Sequence, residues 1–317
     1  GLLFKYISQY DKQFMNVNWD KTGKFDNPSA FLVSHKKKWS SFWAPAENVH
    51  EIPILVDDLH EFRQFALTKE APKFDCDDFD SALYNYNNDT LGIDLWSSTE
   101  LKALPKCARQ SISDSLARAL LFLVIPFQII MSISALLGKP SGDSRTICKT
   151  PMLYRIMCRA DKDVRKWELD NVRDFDTARV KSSALLAALK RNLHSEVCFW
   201  LGMLVASIFN DFHKFFDTLC IITLLVEAIH NDFPPRSMSF ALMQHLAPRV
   251  LQASGHVSLP FQEFRSILAG CRFSVAFTRN YLYRSLSQVV DKYPAANLSL
   301  FVDDTALHLA LIPILPL

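Results

Sequence analysis

Near residue 300, Leu298, Leu300 and Val302 alternate with Ser299, Phe301 and Asp303, and an apolar pattern resumes after Asp304. A period of two is that of a half-buried strand, so this stretch predicts a hairpin with two carboxylates at its tip. A short apolar run, Met203–Phe209, predicts a buried strand that delivers Asn210 and Asp211, and Leu137–Ile147 predicts two strands around a Gly/Pro/Ser turn. Helical spacing over Leu59–Leu67 places Asp57 and Asp58 in a first turn, where the helix dipole favours acids. Ser97 and Glu100 have capping-box spacing for a short helix ending at Pro105, and another helix is expected from about Ser111. Lys181–Trp200 reads as an amphipathic helix with Lys190 and Arg191 on its polar side, followed by helices over Leu219–His230 and from Pro235 to about Leu251. Phe74–Asp80 and the Asn-rich stretch after it read as a loop whose acids lack the glycine and spacing of a calcium site.

Ala119–Leu137 carries no charge and has the length of a bilayer span, so a membrane protein anchored by residues 119–137 is one alternative. The other is a buried helix that breaks near Pro126 and passes into a core strand, since Gln128, Ser132, Ser134 and the proline dilute the apolar signal. The second fits the flanks better, and no membrane partner is expected. His35-Lys36-Lys37-Lys38-Trp39, with Trp43, could track a phosphate backbone, or could be a solvated helix face over two buried tryptophans.

The composition, 49% hydrophobic and 21% charged over 317 residues, is that of a globular chain with a sizeable core. A net charge of +2 gives no global basic field, so any nucleic-acid surface must be local. Seven scattered cysteines without a C-x-x-C pair read as reduced thiols with no zinc site. No secretory leader is visible, and an intracellular place, nucleus or cytoplasm, is expected.

Adjacent acids on a tight turn repel one another unless a divalent cation and a further acid share the site. Phe301-Val302-Asp303-Asp304 resembles the aromatic-x-Asp-Asp box of reverse transcriptases, and Leu55-Val56-Asp57-Asp58 shows that the tetrapeptide alone is a weak sign. The order of further boxes adds weight. Thr90–Trp96 and Glu100–Pro105 resemble the segment leading into the fingers of non-LTR retrotransposon reverse transcriptases, and Met152–Ile156 continues the resemblance. Lys139-Pro140-x-Gly142-x-x-Arg145-x-Ile147 resembles the hairpin that folds over the incoming nucleotide in that family. Lys139 and Arg145 then match positions that contact the triphosphate. Asp211-x-x-Lys214-x-Phe216-Asp217 resembles the first catalytic box of the palm, with Phe216 as the aromatic gate under the sugar. Gly270 and Ser274 match the second palm box, where glycine lets backbone approach the nascent base pair. Ala269 and Val275 depart from it, standing where the family has glutamine and proline.

The resemblance, over roughly residues 90–310, implies an α+β polymerase right-hand fold with fingers and palm, the antiparallel palm sheet packed on helices and the thumb missing. It implies a linker region at 1–88, fingers at 89–200 and a truncated palm at 201–317. It also implies an RNA-directed DNA polymerase using Mg2+ or Mn2+, with RNA template, DNA primer and deoxynucleoside triphosphates as partners. Asp211 and Asp303 would hold two ions about 3.5–4 Å apart, with Asp304 as electrostatic support. A catalytically inactive RNA-binding remnant is the nearest alternative.

Overall fold

The computed structural model describes residues 27–43, 51–138, 144–179, 182–253, 255–262 and 264–311. In chain order the elements are α1 (Pro28–Trp43), α2 (Glu51–Leu67), α3 (Cys76–Tyr84), α4 (Ser98–Ala103), α5 (Lys106–Phe122), β1 (Ser132–Gly138) and β2 (Ser144–Lys149). There follow α6 (Met152–Ala160), α7 (Lys162–Asp170), α8 (Ala184–Trp200), β3 (Leu204–Asn210), α9 (Phe215–Thr218), α10 (Ile221–His230) and α11 (Pro235–His245). The chain closes with β4 (Arg249–Ala253), β5 (His256–Val257), α12 (Phe273–Lys292), β6 (Ala296–Phe301) and β7 (Asp304–Leu311). This is an α+β chain with two separate sheets, β2-β1-β4-β5 and β3-β7-β6. Two compact units interleave along it. The larger takes the described residues up to Val164 together with Phe216–Ser274, and the smaller takes Arg165–Phe215 and the described residues from Val275.

In the larger unit β1 pairs antiparallel with β2 and parallel with β4. The apolar face of α1 supplies buried Phe31, Leu32, Trp39 and Trp43 to a core shared with Leu136 of β1 and Leu251 and Ala253 of β4. Trp43 stacks on Phe261 at 5.7 Å and lies under the Arg249 guanidinium at 4.8 Å. The tryptophans of the basic-aromatic run are therefore core, and Lys37 and Lys38 are the solvated face. The capping box is present in both directions, with the Ser97 side chain on the Glu100 amide and the Glu100 carboxylate on the Ser97 amide.

The uncharged stretch 119–137 is not one element. α5 ends at Phe122, Leu123 takes a left-handed cap conformation, a 3-10 turn spans Phe127–Ile129 and β1 begins at Ser132. The carbonyls freed at the helix end are taken by arginines: Arg63 donates to Phe122 and Leu123, and Arg236 donates to Leu121 at 2.7 Å. Arg236 also donates to Leu67 at the end of α2. Among the described residues no helix is long and apolar enough to cross a membrane.

Several sequence expectations are corrected. Phe74–Asp80 is not a loop: Asp75 accepts the Asp78 amide at 2.9 Å as an N-cap and starts α3. The helix expected from Ser111 starts directly after Pro105, and α2 starts at Glu51, which moves Asp57 and Asp58 beyond its first turn. α11 stops at His245, before Pro248, and residues 249–253 form β4 because proline cannot continue a helix and Val250 and Leu251 suit the sheet. The run expected to be a buried strand is the edge strand β3, most of whose side chains are exposed.

Candidate functional site

The smaller unit is built on the antiparallel sheet β3-β7-β6. β6 and β7 pair from Ala296↔Leu309 to Phe301↔Asp304, which leaves Val302 and Asp303 as a two-residue turn. Val302 has φ 60°. That left-handed conformation suits the tight turns that match strand twist, but it strains a β-branched residue. β7 also pairs with β3, with Asn210 opposite Thr305 as the terminal pair. Asp211, the residue after β3, therefore stands at the same end of the sheet as Asp303 and Asp304.

The electrostatics agree with that register. Asp303 is half-buried, and burial pushes its carboxyl above the ordinary value; its own backbone amide opposes this, while the charges of Asp304 and Asp211 raise it further. Asp211 and Asp304 are exposed. Among the described residues no three His, Cys, Asp or Glu side chains are arranged to hold a metal ion, so the three acids share one end of the sheet without forming a closed cage.

A buried network that the sequence did not announce holds β6 in place. Residues 175–177 run beside it, with the Thr177 amide donating to the Leu300 carbonyl and the Leu300 amide to the Phe175 carbonyl, each at 2.7 Å. Between these lies Asp176, 1% exposed, which accepts from Arg279 Nε at 2.7 Å and from the Tyr283 hydroxyl, both on α12. Arg279 also donates to Glu168 at 2.5 Å and to the Ala178 carbonyl at 2.6 Å. Burial and the bond to Asp176 push the Tyr283 phenol far up, so it donates rather than ionises. No local motif marks these residues, because the partners are about a hundred positions apart along the chain.

In the larger unit the residues expected to meet a nucleotide gather around β2. Arg145 is exposed on β2 opposite Leu137, and Ile147 shares its face. Lys139 lies outside the described residues. Phe216, in the short helix α9, is half-buried, and its carbonyl accepts the Ile267 amide at 2.9 Å. The next residue, Asp217, accepts from Trp43 Nε1 at 2.7 Å and from Thr146 Oγ1 at 3.5 Å, which ties the Phe216 segment to the residue beside Arg145. Gly270 has φ 104°, and a Cβ there would meet the Cys148 carbonyl oxygen at 2.9 Å. Its neighbour Ala269 accepts the Cys148 amide at 2.6 Å. Gly270 is thus required by a close approach to β2. This packing requirement stands beside the approach to a base pair that the resemblance implies.

A cleft of about 810 Å3 in the smaller unit is lined by Glu196, Phe199, Trp200, Met203, Leu204 and Ser207. It opens at the Leu204 end of β3, roughly 20 Å along the strand from Asp211 at ~3.3 Å per residue. It is no part of the acid site. No protein-family model matches this chain, and no curated protein matches it.

Proposed function

We propose that the chain carries fingers and palm elements of an RNA-directed DNA polymerase of the non-LTR retrotransposon type. The observation that carries this reading is the pairing of Asn210 with Thr305, which sets Asp211 at the end of the sheet where the hairpin presents Asp303 and Asp304.

The donor set fits a hard divalent ion such as Mg2+ or Mn2+, since all candidate ligands are carboxylates. Asp211 and Asp303 would hold the metal, which supplies activation of a primer hydroxyl and stabilisation of the leaving pyrophosphate. Asp304, exposed beside them, adds to the field that draws the cation. Arg145 offers a planar cation for phosphate oxygens, with Lys139 assigned the same role. Phe216, whose segment is held by the bonds to its carbonyl and to Asp217, would offer an apolar surface to the deoxyribose.

Primer extension on an RNA template with deoxynucleotides and Mg2+ or Mn2+ tests the reading, with Asp303→Asn as the control. Extension that Asp303→Asn abolishes supports it; a folded chain that extends nothing in either metal overturns it. The second reading, an RNA-binding remnant without catalysis, is favoured by Ala269 and Val275, which depart from the family's second palm box. It is distinguished by salt-dependent RNA binding that Asp303→Asn leaves unchanged and that is never accompanied by extension.

A further inference from the structure

α8 is amphipathic in an unusual sense. The side turned into the smaller unit is narrow and formed by small residues, with Ala187 and Cys198 buried, while the leucines stand outside. Leu189 is 55% exposed, Leu193 62% and Trp200 87%. Leu186 and Val197 complete a stripe that is exposed along the whole helix. At ~100° per residue these five side chains all lie within about 40° of the direction of Leu193. Their spacing is symmetric about that residue. Leu189 and Val197 are each four positions from it, and Leu186 and Trp200 are each seven. Beyond them Leu185 and Leu201, 65% and 71% exposed, are each eight away.

We propose that this stripe is a self-association surface, on which two copies of the chain pack α8 against α8, antiparallel, across a two-fold axis at Leu193. A two-fold interface presents the same patch twice, so an antiparallel pair is complementary only if its pattern survives reversal. Here it does: Leu186 meets the level of the second copy's Trp200, Leu189 that of Val197, and Leu193 meets itself. The steps of three, four, four and three residues from 186 to 200 are of the kind that let side chains of facing helices interlock. The five side chains of the stripe expose on the order of 600 Å2 per copy, which reaches the lower end of what each partner contributes to a specific interface. Lys190 and Glu196 stand on opposite borders of the stripe and keep their charges in water. Nothing in this requires the chain to be a polymerase.

Sedimentation of the full chain at tens of micromolar tests for a species of twice 36.2 kDa, and Leu193→Glu should convert it to monomer; because Leu193 is already exposed, the two chains should share a melting curve at dilutions where both are monomeric. Cysteine crosslinking tests the register. With a mild thiol oxidant, Leu193→Cys should link to itself several-fold faster than Val197→Cys, whereas a mixture of Leu189→Cys and Val197→Cys chains should link to each other. A monomer at these concentrations overturns the proposal. So does a dimer that Leu193→Glu leaves intact, or crosslinking at residue 193 no faster than in the unsubstituted chain.

Discussion

Replacing Arg279 with methionine removes the guanidinium that pairs with Asp176 inside the smaller unit. Asp176 is 1% exposed and its carboxylate is held by Arg279 at 2.7 Å and by the Tyr283 hydroxyl. Arg279 is itself 8% exposed, so neither charge has water to fall back on. Breaking a buried pair from one side typically costs about 3–5 kcal/mol, because the remaining charge stays buried and unpaired. Removing both partners costs less, and Asp176→Asn with Arg279→Met should recover part of the loss. Tyr283→Phe removes one hydrogen bond and should cost about 1–3 kcal/mol. Glu168→Gln, at the more exposed end of the network, should cost about 1 kcal/mol or less. Urea denaturation followed by circular dichroism measures all four. Because residues 175–177 are bonded to Leu300, the single Arg279 variant should also speed hydrogen exchange at the Thr177 and Leu300 amides. A loss below about 1 kcal/mol for Arg279→Met, or an equal loss for Glu168→Gln, would refute the claim that a desolvated Asp176–Arg279 pair holds β6.

Asp303 has a carboxyl pKa raised in the folded state by burial, so its folded form binds a proton more tightly than the unfolded form and its effect on metal-free stability becomes unfavourable as pH rises through the folded value. Asp303→Asn should therefore be more stable than the unsubstituted chain at pH 7 without metal, and the difference should shrink toward pH 3; thermal melts across that range would show it. Gly270→Ala should destabilise by about 1–3 kcal/mol, since it forces a left-handed φ and a 2.9 Å approach to the Cys148 carbonyl, and an unchanged melting temperature would contradict this. Val302→Gly should raise metal-free stability by about 1 kcal/mol by relieving a strained left-handed turn residue, measured by the same denaturation.

The hairpin at 296–311 was legible because alternation, a two-residue gap and paired acids all act over a few positions, and so was the capping box at Ser97 and Glu100. The edge position of β3 was not. An apolar run such as Leu204–Phe209 reads as buried wherever hydrophobicity is the only guide, and which strand lies at an edge is set by long-range pairing. The same limit applies to α8, whose apolar stripe predicts a core face and in the structure faces outward. Asp75 marks a different limit: an acid-rich run beside Asn residues reads as a loop, while its local use is to cap and charge a helix start. The order of the boxes singles out three acids, but that they stand at one end of the sheet follows only from the register of Asn210 with Thr305. The network around Asp176 joins residues more than a hundred positions apart, and no sequence period reports such a pairing.

Single-nucleotide addition to an RNA-templated primer, with Asp211→Asn, Asp303→Asn and Asp304→Asn each beside the unsubstituted chain, tests the acid site most directly. Measurable addition in Mg2+ or Mn2+ is expected of the unsubstituted chain, with losses of about 100-fold or more for Asp211→Asn and Asp303→Asn and a smaller loss for Asp304→Asn. Addition that survives loss of Asp303, or no addition by any folded form in either metal, would contradict this.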